Sequence, residues 1–117
     1  MTISDLAKNF TDLLRQGKDE TAASQYNADN IVSYEAMEGP MAVAEGKQAL
    51  QQKGAWWRAN HEVHSASVEG PFINGDQFAV RFKYDVTQKE SGKRIAMDEV
   101  GVYTVKDGKI VEERFYY

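Results

Sequence analysis

VYTVKDGKIVEERFYY, residues 102–117, is two alternating runs joined at one Asp-Gly pair, and its reading decides both the fold and the chemistry. Asp107-Gly108 is a signal for a two-residue hairpin loop. That loop length sets Thr104 opposite Val111, Val102 opposite Glu113, Val100 opposite Phe115 and Asp98 opposite Tyr117, with all eight residues on one face. The face is otherwise apolar, so Asp98 and Glu113 are expected to look into hydrocarbon. An acid there must be paired, protonated or useful, because burying it bare is expensive. The reverse face carries Glu99, Tyr103, Glu112, Arg114 and Tyr116, a mixed surface suited to water or to a partner subunit. A change of one loop residue would exchange the two faces.

Upstream the same period of two continues. Phe78, Val80, Phe82, Tyr84 and Val86 alternate with Ala79, Arg81, Lys83 and Asp85, the pattern of a half-buried antiparallel strand. Asn74-Gly75 and Ser91-Gly92 supply further turns, so four consecutive antiparallel strands follow from His61. At Ser91-Gly92 a two-residue turn pairs Tyr84 with Glu99. A three-residue loop containing Gly92 instead puts Phe82 and Tyr84 on the side of Asp98, which gathers one continuous core, and that register is the expectation. Pro71 cannot donate to a ladder, so Gly70-Pro71 marks a bulge or edge where a long strand bends.

The first half reads differently. Ile3, Leu6, Ala7, Phe10, Leu13 and Leu14 form one helical stripe, with Thr2 as N-cap and Gly17 as stop. A shorter helix follows over residues 19–26, and residues 31–37 read as a strand. Residues 38–46, EGPMAVAEG, read as a loop, and KQALQQKGAWWRAN (47–60) as a third helix with Leu50, Gly54 and Trp57 on one face. The amphipathic first helix must back onto a sheet, and helices over the hollow side of a bent sheet make a cone with a cavity.

A chain of 117 residues is expected to be one domain, 1–117, with one core. A net charge of −4 and scattered lysines and arginines argue against nucleic acid. There is no cysteine, hence no disulfide or thiol chemistry, and no apolar run approaches a membrane span. The polar start MTISDLAKNF does not read as a signal peptide, so a cytoplasmic location is the expectation.

The order helix, short helix, strand, helix and four curved strands resembles the nuclear transport factor 2-like superfamily, and within it the SnoaL-like domains. Gly17, YNADNIVSYEA, GKQALQQKGAWW and the 102–117 hairpin carry the likeness, which spans essentially the whole chain. The resemblance implies an α+β, cone-shaped fold, in which three helices from the N-terminal half cover the concave face of a strongly curved antiparallel sheet. It also implies frequent homodimerisation through the sheet and a pocket between sheet and helices. Function varies widely on this scaffold, from isomerases and cyclases to binding modules. The base of the superfamily's ketosteroid isomerases matches Glu35, but their helix-one tyrosine falls at Phe10 and their second acid near Gly101, with Asp98 and Glu99 displaced. Two of three groups are missing, which argues against a steroid isomerase of that design. SnoaL-type cyclases use a later-strand acid, for which Asp98 is the nearest match.

Asp98 and Glu113 are thus the candidate acid-base pair, and Phe10, Glu35, Trp57, His64, Phe82, Tyr84, Val100, Phe115 and Tyr117 the candidate pocket. The competing reading pairs the acids with Arg81, Arg94 or Arg114 as structural ions. Tyr34 and Glu35 point to opposite faces of their strand, so only one of them looks inward. The HEVH stretch, 61–64, fails as a zinc motif because its histidines are three apart at a helix-to-strand junction, and no metal or cofactor is expected. The leading expectation is a cofactor-free homodimer holding a small hydrophobic or aromatic molecule. The second is an interaction module that uses the outer sheet face.

Overall fold

The computed structural model describes residues 1–117. Helix α1 (Ile3–Arg15) starts where the Asp5 N–H donates to Thr2 Oγ1 (3.1 Å) and the Thr2 N–H donates to Asp5 Oδ2 (3.3 Å). This reciprocal cap satisfies donors that a helix start leaves open. Gly17, at φ 72°, ends the helix, and the Gly17 and Lys18 N–H groups turn back to the carbonyls of Leu14 and Leu13. The stripe buries Leu6, Ala7, Phe10 and Thr11, and α2 (Asp19–Tyr26) adds Ala22 and Tyr26. No helix is long and apolar enough to cross a membrane.

The strands are β1 (Asn27–Tyr34), β2 (Val43–Glu45), β3 (His61–Asn74), β4 (Gln77–Gln88), β5 (Arg94–Lys106) and β6 (Lys109–Tyr116), with α3 (Lys47–Asn60) between β2 and β3. They form one curled, unclosed sheet in the order β2-β1-β6-β5-β4-β3. The expected α+β architecture is present, with one parallel pair, β1 against β6, in an otherwise antiparallel sheet. Residues 38–46 are more than a loop, because Val43–Glu45 pairs with Val32–Tyr34. A three-residue strand is too short to display alternation. β1 also begins four residues earlier than expected, in the polar stretch Asn27–Asn30.

Each of the two hairpins that flank β5 holds one residue more than expected. Asp107 (φ 52°) and Gly108 (φ 75°) do make the two-residue loop, and Lys106 and Val105 pair with Lys109 and Ile110. The ladder then slips, so that Thr104 pairs with Glu112, Tyr103 with Glu113, Val102 with Arg114 and Gly101 with Phe115. Val111 is the extra residue of a bulge. Across the β4–β5 connection the Gln88 N–H bonds the Lys93 carbonyl, enclosing residues 89–92, and Phe82 pairs with Glu99 and Lys83 with Asp98. β5 is therefore turned over relative to the expectation. Glu99, Gly101, Tyr103 and Val105 face the helices, and Asp98, Val100, Val102 and Thr104 face away.

The core sits where α1 and α2 cross this inner face. Phe10 packs edge-on against Tyr26, Phe78 and Tyr103 at centroid distances of 6.4, 5.8 and 5.0 Å. Burying each such side chain is worth roughly 1.5–3 kcal/mol. Arg15 donates to the carbonyls of Val68 (3.2 Å) and Gly70, pinning α1 to β3 where its register slips between Glu69 and Phe72, at the expected Gly70-Pro71 bend. α3, in contrast, buries no residue fully and leans over the other end of the sheet.

Candidate functional site

Three adjacent strands each send one carboxylate to the end of the concave face under α3. Glu35 follows β1, Glu113 lies opposite Ser33 and Tyr103 on β6, and Glu99 lies two residues before Gly101 on β5. From α3, Lys53 reaches down so that its Nζ is 2.5 Å from Glu35 Oε1 and 3.0 Å from Ser33 Oγ. The same ammonium stands 5.4 Å above the Phe115 ring centroid, and the Tyr117 hydroxyl donates to Glu35 Oε2 at 2.9 Å. Glu35 is therefore fully engaged, whereas Glu99 and Glu113 take part in no ion pair.

That difference sets their protonation. Burial pushes the Glu99 carboxyl up to about 7, the charge of Glu35 pushes the same way, Lys53 opposes them and Glu113 adds to the rise. Glu113 is also raised, first by burial, although the Ser33 hydroxyl and Lys53 favour its ionised form. Burial raises Tyr84 and Tyr103 too, and both feel the charge of Glu99 and of Asp19 at the start of α2. Tyr117 is pushed up to about 12 by burial and by its bond to Glu35.

Gly101 makes room at the centre. A Cβ there would lie 3.1 Å from the Tyr103 hydroxyl and 3.1 Å from the Phe115 ring, so the Tyr103 phenol lies over residue 101, in the direction of Glu99. Tyr103 is 3% exposed, and the one buried side-chain polar atom left without a partner is Asn27 Oδ1 at the start of β1. Trp57 forms the wall below α3, stacked on His61 (4.5 Å between centroids, 14° between planes) and tilted over Tyr84 (5.7 Å). His61 Nδ1 lies 2.8 Å from the Trp57 carbonyl, so Nδ1 carries the proton and Nε2 is left as an acceptor. Phe82 stacks on Tyr84 at 6.0 Å.

Glu35, Trp57, Phe82, Tyr84, Glu113, Phe115 and Tyr117 are thus brought to the helix-facing side, and Tyr34 points away, stacked under the Arg114 guanidinium at 4.0 Å. Phe10 is on the same side but deep in the core. Three candidates lie elsewhere. Asp98 is on the outer face in a two-pronged pair with Arg81 (3.0 and 2.7 Å), whose guanidinium holds its carboxyl below the usual carboxylate range. Val100 is opposite Arg81 and Tyr116 on that face. His64 is also outside, with Nε2 2.7 Å from Thr87 Oγ1. All three follow from the two extra hairpin residues and, for His64, from the slip in β3 between Val63 and Ser65.

The sequence pattern does not single out Glu99, Lys53, Ser33 or Tyr103. The two-residue hairpin register places Glu99 and Tyr103 on the outer face, whereas the structure turns both toward the helices. The available signal was Gly101-Val102-Tyr103-Thr104-Val105, which alternates acceptably on either parity. No three His, Cys, Asp or Glu side chains come together as a metal-binding set. A crevice of about 90 Å³ lies at the hairpin tip, lined by Met1, Thr2, Ile3, Leu6, Val105, Asp107 and Gly108, and none of Glu35, Glu99 and Glu113 lines it.

The SnoaL-like domain family model matches residues 1–117. A Mesorhizobium loti protein of known structure, named for a proposed SnoaL-like polyketide cyclase role and also as a carbohydrate phosphatase, shares 68% identity over 100% of both chains, with a TM-score of 0.98. A Jannaschia protein named for the same proposed cyclase role is 18% identical over 84% of this chain and 71% of its own, with a TM-score of 0.69. A Xanthomonas campestris protein of unknown function with a cystatin-like fold is 16% identical over 99% of this chain and 90% of its own, with a TM-score of 0.77. At these last two identities the likeness is one of fold. No curated protein sequence matches the chain significantly.

Proposed function

The chain belongs to the SnoaL-like domain family, and from that footing we propose that it binds a small, largely hydrophobic molecule between α3 and the concave sheet face and moves a proton on it. Glu99 is the acid-base group of this reading, in isomerase- or cyclase-type chemistry that needs no cofactor. The observation that carries it is a half-buried carboxyl on the helix-facing side of β5, in no ion pair and opposite Phe82 on β4, which burial pushes up to about 7. A general acid or base works best when its pKa lies near the working pH. Glu35 is less suited to the role, because Lys53 and Tyr117 already occupy both of its oxygens.

In such a step Glu99 takes a proton from a carbon beside a carbonyl, and the electron pair passes to the carbonyl oxygen. The Tyr103 hydroxyl is placed to donate to that oxygen. The proton returns at a second carbon in an isomerisation, or the new carbanion attacks another carbonyl of the same molecule in a cyclisation. A phosphoester, the substrate that the second name of the Mesorhizobium protein implies, is disfavoured here because three carboxylates surround the one ammonium.

The test is ligand-induced stabilisation by aromatic 1,3-dicarbonyl compounds. Glu99→Gln and Glu113→Gln should each diminish it, and Asp98→Asn should leave it unchanged. The reverse ranking would sink the assignment. A homodimer through the outer sheet face is the second reading, supported by Phe72 (62% exposed) and Tyr116 (53% exposed) on that side. Val100 and Val102 lie between them across the ladders.

A further inference from the structure

α3 is held over the sheet by charge more than by apolar burial. Its sequence, KQALQQKGAWWRAN, carries three cations and no carboxylate, and none of its residues is fully buried. Its apolar footing is Leu50, at the margin of the core, and Trp57, over Tyr84, both half-buried. Each cation instead reaches a different acceptor on the elements beside it. Lys47 Nζ donates to the Ser24 carbonyl on α2 at 2.7 Å, and Lys53 Nζ to Glu35 and Ser33 at 2.5 and 3.0 Å. The Arg58 guanidinium pairs with Glu20 on α2 at 2.6 Å.

These tethers differ in their exposure to water. Lys53 and Glu35 are sheltered, with side chains 19% and 15% exposed, so dissolved salt weakens them little. Arg58 and Glu20 are 43% and 77% exposed, and Glu20 and Ser24 both line an open crevice of about 470 Å³ along α2. Ions reach that pair freely, and an exposed pair is weak and easily screened. Gly54 explains the reach of Arg58. A Cβ there would stand 3.1 Å from Arg58 Nη1, so the guanidinium lies along the helix over residue 54. The same glycine lowers helix propensity in the middle of α3. The two ends are fixed to the sheet, where the Gly46 N–H bonds the Ile31 carbonyl (2.7 Å) and the Lys89 N–H bonds the Asn60 carbonyl (3.0 Å). The turns between them are the part that can lift.

Beneath α3 the sheet is closed. Ser33 has no exposed surface, Lys53 Nζ stands 5.4 Å over the Phe115 ring centroid, and Trp57 covers Tyr84 at 5.7 Å. A molecule lying against Phe115 and Tyr84 has to take the places of Lys53 and Trp57, and so has to lift the helix.

We infer that α3 is a lid fastened by ion pairs: release of Arg58 from Glu20 frees its C-terminal half to rise, and Lys53 then leaves Glu35 and uncovers the concave face. Ionic strength therefore sets how often the site opens, as a local opening distinct from unfolding of the chain. The inference rests on the small-molecule reading above for what enters, and it specifies how entry is regulated. The lid itself is tested without any ligand.

The experiment is hydrogen exchange of the full chain at neutral pH in about 20 and about 500 mM sodium chloride. Exchange through residues 47–60 should quicken about threefold in the higher salt relative to α1. Arg58→Gln should quicken it to a similar extent in low salt and leave little further effect of salt. Because the chain has no cysteine, Ser33→Cys supplies a single thiol beneath the helix. In that background Arg58→Gln should raise the rate of alkylation by iodoacetamide by the same factor. Exchange of α3 that ignores both salt and Arg58→Gln would overturn the lid, and so would a thiol at residue 33 that is labelled no faster when α3 exchanges faster. Failure of the aromatic 1,3-dicarbonyl compounds to bind would remove the small-molecule reading alone, because the lid is judged by exchange and labelling.

Discussion

Glu99 ties chemistry to stability with a sign opposite to that of the surface acids. Its carboxyl is raised from an ordinary 4.5 to about 7, so within that interval the folded chain keeps a proton that the unfolded chain has released. The contribution of this group is intact below the unfolded value, declines as pH rises through the interval and is level above it. After allowance for its partial contact with water, the loss amounts to about 2 kcal/mol. Asp85 and Asp98, held low by Arg94 and Arg81, act the other way: their contribution is present above the ordinary aspartate value and is lost as pH falls. Denaturant melts should therefore place maximum stability near about pH 5. Glu99→Gln should flatten the alkaline decline and leave the acid limb unchanged. Gly101 is the second informative residue. Gly101→Ala sets a methyl 3.1 Å from the Tyr103 and Phe115 rings and should cost about 1–3 kcal/mol in urea unfolding. An unchanged midpoint would mean that the phenol does not rest on residue 101.

At the scale of elements, the bulge at Val111 decides which acids meet. Without it the β5–β6 ladder keeps the register set by Asp107-Gly108, and Glu113 pairs with Val102 instead of Tyr103. Ile110 and Val111 are both β-branched and apolar, so neither pattern nor propensity reveals which of them faces the core. Deleting Val111 should turn Glu113, Phe115 and Tyr117 outward and destabilise the chain by more than ~3 kcal/mol, because apolar and polar faces are exchanged over the whole end of the strand. Cross-strand proton contacts between Tyr103 and Glu113 in the parent, by nuclear magnetic resonance, would verify the register directly. α1 and α3 differ for a similar reason of packing. α1 is capped at both ends and buries four residues, whereas α3 starts at Gly46 with no side-chain cap and buries none. Hydrogen exchange should accordingly be faster through α3 than through α1, and a ligand under α3 should slow it. Equal protection in the free chain would contradict the loose seating of α3.

Over the whole molecule, the outer sheet face combines ion pairs, Arg81–Asp98 and Arg94–Asp85, with exposed Phe72 and Tyr116. If this face joins two copies, sedimentation should give a dimer, and Phe72→Glu together with Val102→Glu should give a monomer that remains folded. A monomeric parent would rule the interface out. The class of fold was legible without coordinates, since the stripe from Ile3 to Leu14, the Thr2 and Gly17 boundaries and the period of two from Phe78 to Val86 are local signals, each written within a dozen residues. Glu35, Trp57, Glu113 and Tyr117 lie on the helix-facing side where they were expected, although Glu113 pairs with Tyr103 and not with Val102. Asp98, Val100 and His64 were misdirected because strand parity is not local: one residue in a loop or a bulge reverses every side chain beyond it, and the pattern of β5 is apolar enough on both sides to satisfy either choice. Composition and periodicity determined an α+β chain with a curved sheet and its covering helices. The assembly of Glu99, Lys53 and Tyr103 around Gly101 was decided only by the tertiary ladder, because it depends on which of two nearly equivalent registers lets Tyr103 and Val105, rather than Val102 and Thr104, pack beneath α1.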